Sequence, residues 1–278
     1  MEKLLLITVD CDLRTGDVAA RQGVLDALLA VFAEKGAAGH TTWFLNENDF
    51  AITKNHQGFL HEALRRGDAI GIHDHIDFLD GRWEYAPIYD FCLRSRDTVQ
   101  AWLRAHGYPD ALPYHRAGCL FQHPAQYEVL RDLGYTLLSD LYPGDKSPNH
   151  TGHLSYDNRE VPVGISPYRH DPENFADYKS RRGRFLHVPV AHMYIFLEHR
   201  FLGGFIGDTV ARWLKASETR GVACAPMAWC FHPYEILTRE RTSVSTELVR
   251  SLGEKLDELT REFGVEFASL AEVAARFA

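Results

Sequence analysis

The chain has 278 residues and a mass of 31.6 kDa, enough for a large buried core in one large domain or two ordinary ones. Hydrophobic residues at 45% and charged residues at 24% are globular proportions and exclude a disordered chain. The net charge of −8 argues against a general nucleic-acid or anionic-membrane binder, and no apolar run approaches the roughly 18 residues of a membrane span.

The first ten residues hold a short apolar run that ends at Asp10. A secretory signal needs a longer apolar core and a small-residue cleavage site, so the expectation is a first strand in a cytoplasmic protein. Leu4 to Val9 reads as a buried strand. From Asp17 to Lys35, Val24, Leu25, Leu28, Leu29 and Phe32 mark one face of a helix closed by Gly36. Thr41–Leu45 is a second strand, Gln57–Arg66 a helix, and Ala69–Ile72 a third strand. Ile88–His106 and Pro124–Leu133 are helical, the latter with Pro in its first turn, and Tyr135–Leu138 is a strand. The rhythm breaks from Leu141 to Arg184, which reads as a long excursion with irregular structure or a small hairpin. Then come a strand at Phe185–Val190, a helix at Thr209–Arg220, a strand at Met227–Phe231 and a helix at Thr246–Phe263. Val265–Phe267 and a short helix from Leu270 finish the chain. Repeated strand–helix units predict a parallel α/β fold. No phosphate-binding glycine motif follows any strand. The polar clusters fall at strand C-terminal ends, which favours a barrel over an open sheet.

Five such clusters carry chemistry. Asp10 and Asp12 leave the first strand two residues apart; like charges that close call for a cation or a proton, unless one merely caps a loop. His73, His75 and Asp77 end the third strand. His73 pairs with His75 if the strand continues, or with Asp77 if a helical turn begins, and either suits a divalent metal. Arg116 can pair with a carboxylate, and Gly118 admits a close approach of the backbone before Cys119. Ser139-Asp140 ends the Tyr135 strand, where an Asp can also serve a loop. His232 follows an apolar strand and is stopped by Pro233; it is a candidate acid or a satisfied core histidine. The remaining cysteines, Cys11, Cys92, Cys224 and Cys230, form no CxxC pair with Cys119 or one another, and free buried thiols are expected.

In this order the five clusters resemble the polysaccharide deacetylase family with the NodB-homology domain, from Leu4 to about Glu235, with 141–184 unmatched. The resemblance implies a single catalytic domain over 1–278 with a distorted (β/α) barrel, and a hydrolase that removes an acetyl or formyl group from an N-acylated sugar, oligosaccharide or sugar-lipid. It implies a divalent metal, with zinc the expected ion, Asp12 and His73 as ligands, and Asp10 as general base. The family's second motif has two histidines four residues apart. Here Asp77 stands at that spacing, so either Asp77 replaces the ligand or His75 shifts into the role; the kept spacing leans to Asp77. Arg116 would orient the base, the Cys119 N–H would meet the oxyanion, Asp140 would support the acid, and His232 would be that acid. Thr8–Leu28 also resembles deformylases of lipid-linked aminosugars. Two alternatives stand beside this reading. One is a metal-dependent amidohydrolase acting on a non-sugar amide; the other is a non-catalytic carbohydrate-binding relative.

Overall fold

The computed structural model describes residues 1–79, 81–148, 152–170, 174–180, 183–194 and 206–277. β1 (Glu2–Asp10), β2 (Thr41–Leu45), β3 (Ala69–Asp74), β4 (Tyr114–Ala117) and β5 (Leu137–Leu138) follow one another in a parallel sheet. α1 (Val18–Glu34) joins the first two strands. α2 (Glu47–Phe50), α3 (Ile52–Asn55) and α4 (Gln57–Arg65) come next, then α5 (Tyr85–Ala105) and α6 (Pro124–Asp132). α1 starts where predicted because the Asp17 carboxylate accepts the Ala19 N–H at 2.8 Å and the Ala20 N–H at 3.3 Å. α6 starts on Pro124, whose missing N–H costs nothing at a first turn.

The 141–184 excursion forms a hairpin, β6 (Lys146–Pro148) with β7 (Leu154–Asp157), and β8 (Tyr168–Arg169). The strand expected over Phe185–Val190 is two strands. β9 (Leu186–His187) pairs with β5, and β10 (Val190–Met193) pairs with β11 (Cys224–Phe231). Pro189 has no N–H for a ladder, and it stands between them. α7 (Ile206–Thr219), α8 (Thr246–Phe263), β12 (Glu266–Phe267) and α9 (Leu270–Phe277) complete the chain, with Gly264 closing α8 in the left-handed region.

The sheet order is β10-β11-β1-β2-β3-β4-β5-β9-β8. β9 and β10 lie near opposite ends of that order, yet only Val188 and Pro189 separate them in the chain. The three Cα steps from His187 to Val190 span no more than about 11 Å, so the sheet must curl until its ends nearly meet. This is the distorted barrel expected from the sequence, with its seam at Val188-Pro189.

β1 shows how the barrel aims its side chains. Leu4–Val9 is buried on both faces, and alternate residues belong to different clusters. Leu5, Ile7 and Val9 pack outward against Val24, Leu25 and Leu28 of α1. Leu4 and Leu6 meet Phe44, Leu137, Leu186 and Ala228 inside the curl, where Leu270 and Val273 of α9 join them. The inward register continues through Thr8 to Asp10. By the same alternation His73 points inward while Asp74 points outward. The outward Asp74 faces His115 at 3.4 Å on the neighbouring strand. Gly71 leaves room for Phe44: a Cβ there would lie 2.7 Å from the Phe44 ring.

Among the described residues no helix is long and apolar enough to cross a membrane. Among the described residues the five cysteines form no disulfide; Cys11, Cys92 and Cys230 are buried, whereas Cys119 and Cys224 are partly exposed.

Candidate active site

Asp10, Asp12, His73, His75, Cys119 and His232 all border one cleft of about 230 Å³ at the C-terminal end of the sheet. Arg14, Tyr194 and Tyr234 border it too. None of these three is marked as functional by the sequence motifs.

Asp12, His73 and His75 come together as one group, their ligand atoms all within 4.8 Å of one another. His75 Nε2 lies 3.2 Å from Asp12 Oδ2, and His73 Nε2 lies 3.8 Å from Asp12 Oδ1. Both rings are oriented from behind. His73 Nδ1 is 3.0 Å from the Arg116 carbonyl, which can only accept, so this nitrogen donates and Nε2 keeps a lone pair. That Nε2 is buried with no hydrogen-bond partner. His75 Nδ1 is 3.2 Å from Asp77 Oδ1. An orphaned imidazole nitrogen, a second imidazole and a carboxylate converging on one point fit a divalent metal such as zinc. Of the two residues that could complete the set, His75 and not Asp77 groups with Asp12 and His73, while Asp77 groups with His75 and Cys119. The chain stays extended through Asp74, and that carries His75 back to the inward face. Asp77, in a single 3₁₀ turn over Ile76–Leu79, is left behind the His75 ring. The electrostatics differ among the three residues. Burial pushes Asp12 up, but its bond to His75 and the nearby His73 and His232 hold it well below the usual carboxylate range. Burial lowers His73, and the two carboxylates only partly offset this, which favours the neutral ring a ligand must have. His75 is pushed to about 10: burial opposes the shift, and Asp12 and Asp77 outweigh it. A metal entering here must therefore displace a proton from His75.

Gly118 lets the His75 ring sit where it does, because a Cβ at that position would overlap the imidazole. Gly118→Ala is expected to weaken metal binding by about tenfold or more, the scale of a disturbed ligand-orienting contact. Zinc titration of the folded variant checks this; wild-type affinity would count against the ligand role of His75.

Arg116 is fully buried and its donors are matched from three directions. Nη1 donates to Asp10 Oδ1 and to Thr8 Oγ1, each at 2.9 Å. Nε donates to the Ser139 carbonyl at 2.6 Å and Nη2 to Ser139 Oγ at 2.7 Å. Its guanidinium lies 4.4 Å from the Phe44 ring centre. Burial pushes the Asp10 carboxyl up, and Arg116, His73 and His232 more than offset it, so Asp10 is held ionised. Its second oxygen lies 3.2 Å from Cys230 Sγ.

His232 does not rest on Asp140, and this expectation is corrected. Its Nδ1 lies 3.1 Å from Glu235 Oε1, and the same oxygen accepts the His232 backbone N–H at 2.8 Å. His232-Pro233-Tyr234-Glu235 is a capping box on a 3₁₀ turn, and its acid three residues after the cap was the signal in the sequence. Asp140 faces His187 Nδ1 at 3.4 Å instead. The chain turns at Asp140 into the excursion, and its side chain is enclosed rather than turned to the cleft.

Burial raises the Asp140 carboxyl to about 7, with its own amide, Arg116 and Tyr127 offsetting only part. The unfolded chain ionises this group near pH 4 or so. Between roughly pH 4 and 7 the native state keeps a proton that the unfolded state has lost, so stability falls as pH rises through this window. Asp140→Asn removes that dependence. Its melting temperature relative to the parent protein should climb from about pH 5 to about pH 8; a flat difference rejects the assignment.

Strain collects around the cleft. Of the five described non-glycine residues with positive φ, Cys119 (53°), Leu120 (51°) and Tyr194 (71°) line it, and Arg241 (55°) carries its guanidinium over Tyr234, which also lines it. Strained backbone of this kind is held in place by its surroundings and gathers at working sites. Cys119, whose carbonyl accepts from Ser155 Oγ at 2.7 Å, is separated from β4 only by Gly118.

No family model matches the chain, and no curated protein matches it. Solved structures do. A Mycobacterium smegmatis protein named as a candidate polysaccharide deacetylase aligns over 99% of this chain and 91% of its own, with TM-score 0.60 and 14% identity. The 4-alpha-glucanotransferase of Thermococcus litoralis aligns over 100% of this chain and 41% of its own, with TM-score 0.57 and 11% identity. A CE4 family pseudoenzyme from Bacillus anthracis aligns over 98% of this chain and 65% of its own, with TM-score 0.50 and 9% identity. Identities this low speak for the fold alone, and an enzyme of another class and a pseudoenzyme share it. The chain has the fold of the polysaccharide deacetylases.

Proposed function

We propose that the chain is a metal-dependent hydrolase that removes an acetyl or formyl group from an N-acylated sugar, oligosaccharide or sugar-lipid. The observation that carries this reading is two oppositely supported groups bordering one cleft: Asp10 on Arg116, and His232 on Glu235, beside the Asp12–His73–His75 trio. A bare binding module has no use for a carboxylate held ionised next to a hydrogen-bonded histidine and a set of ligands.

Asp12, His73 and His75 would hold the metal, with zinc the expected ion, and Asp77 would orient His75. When bound, the metal polarises the acyl oxygen and lowers the pKa of a water toward roughly 7. Asp10, kept ionised by Arg116, takes the proton of the attacking water. The Cys119 N–H meets the developing oxyanion. His232, with its Nδ1 hydrogen held by Glu235, donates to the leaving amine. An amine leaves poorly unless it is protonated, so base and acid must be separate groups, and the two pairs keep them separate.

The test is direct. Zinc-loaded protein should release one carboxylic acid per free amine from N-acetylated or N-formylated sugars. Chelation should abolish the activity and added zinc restore it. Carbohydrate binding without any amine release would favour the non-catalytic reading.

A further inference from the structure

We infer that Arg14 and Arg241 form an anion-binding subsite at the mouth of the cleft, which takes a phosphate or carboxylate carried by the N-acylated sugar. The sugar part of this inference rests on the hydrolase reading above; the anion part rests on the geometry.

Two segments far apart in sequence bring the arginines to one ring. Arg14 follows Asp12 on the loop after β1, and its guanidinium carbon lies 5.0 Å from the centre of the Tyr234 ring. Arg241 lies in the turn after β11, and its guanidinium carbon is 5.4 Å from the same centre. The two segments are tied to each other. Thr15 Oγ1 donates to the Arg241 carbonyl at 2.8 Å, and Arg241 Nη1 reaches the Arg14 carbonyl at 3.5 Å. Arg241 holds a left-handed backbone to do this, with φ of 55°. Tyr234 stacks in turn on His232, with ring centres 4.9 Å apart. One aromatic ring therefore aims two guanidinium groups beside the proposed acid.

Most of the charges around the cleft are already matched. Arg116 answers Asp10, and Glu235 answers His232. Arg14 Nη2 lies 3.3 Å from Asp12 Oδ2, the carboxylate that also faces His73 and His75. A metal held by Asp12 would compete for that carboxylate and free Arg14 for another anion. Arg241 is exposed and makes no ion pair among the described residues. Guanidinium forks match the paired oxygens of phosphate and carboxylate, and stacking on a ring fixes their orientation before the ligand arrives. Tyr194 also borders the cleft, its ring centre 5.4 Å from that of His232, so aromatic surface is at hand for a sugar ring as well.

Two measurements test this independently. The first is calorimetric titration of zinc-loaded protein with inorganic phosphate and, separately, acetate. Arg241→Ala should weaken phosphate binding by about tenfold, the scale of one charge-assisted contact. Phosphate that binds the variant as tightly as the parent protein is held by the metal alone and overturns the subsite. The second compares kcat/KM for N-acetylglucosamine, N-acetylglucosamine 1-phosphate and N-acetylmuramic acid, so that phosphate and carboxylate are told apart. At least one anionic substrate should be preferred over the neutral one, and Arg241→Ala should cut that preference by about tenfold through KM. Turnover of all three with no preference, unchanged in the variant, overturns the subsite and leaves the hydrolase reading standing. Phosphate binding that depends on Arg241 with no amine released from any substrate does the reverse.

Discussion

Asp10→Asn is expected to lower the hydrolytic rate by about 10²–10⁴, the usual contribution of a positioned general base, while zinc content stays at the parent level. The asparagine side chain is the same size and keeps an oxygen for Arg116 Nη1, so the 2.9 Å contact has a replacement acceptor. It cannot take a proton from water. The substitution also removes the charge that balances a fully buried guanidinium. Breaking such a pair outright costs about 3–5 kcal/mol, and here Thr8, Ser139 and the Phe44 ring still hold Arg116, so a smaller stability loss is expected. Rate, zinc content and melting temperature measured on one sample separate the effects. Loss of zinc along with the rate would move Asp10 into the ligand set. A rate within tenfold of the parent protein would remove it as base.

The second large effect concerns the ligand set. His75→Ala is expected to lower zinc affinity by at least about a hundredfold, since it removes a ligand outright. Asp77→Ala should cost about 10–100-fold, as loss of an orienting partner does. The pH dependence should differ as well. His75 carries a proton up to about pH 10 in the metal-free protein because two carboxylates face it, so zinc binding by the parent protein should tighten as pH rises and release a proton. Without His75 that dependence should flatten. Equal, small losses from both substitutions would reject the trio as a metal site.

Much of this was legible in the chain. The buried run of β1, the helix over 17–35 with its capping Asp, and the strand–helix alternation were all readable, because they depend on local periodicity and on caps that need no distant partner. So was the order of polar clusters at strand ends. A strand that leaves a packed core must carry any charged group at its end, where the barrel opens.

Three features needed the tertiary structure. Whether His75 or Asp77 faces Asp12 turns on how far β3 stays extended, and pairing with β4 through Asp74–Ala117 decides that. The family resemblance pairs His232 with Asp140. The 3₁₀ turn after Pro233 instead brings Glu235 back to the ring, and the fold turns Asp140 toward His187. The split at Pro189 sends two short strands toward opposite ends of the strand order, and only closure of the curl makes that possible with two residues between them. The Glu235 contact is local to that 3₁₀ turn, whereas the choice of His75 and the split at Pro189 are made by contacts between strands that sequence spacing does not encode.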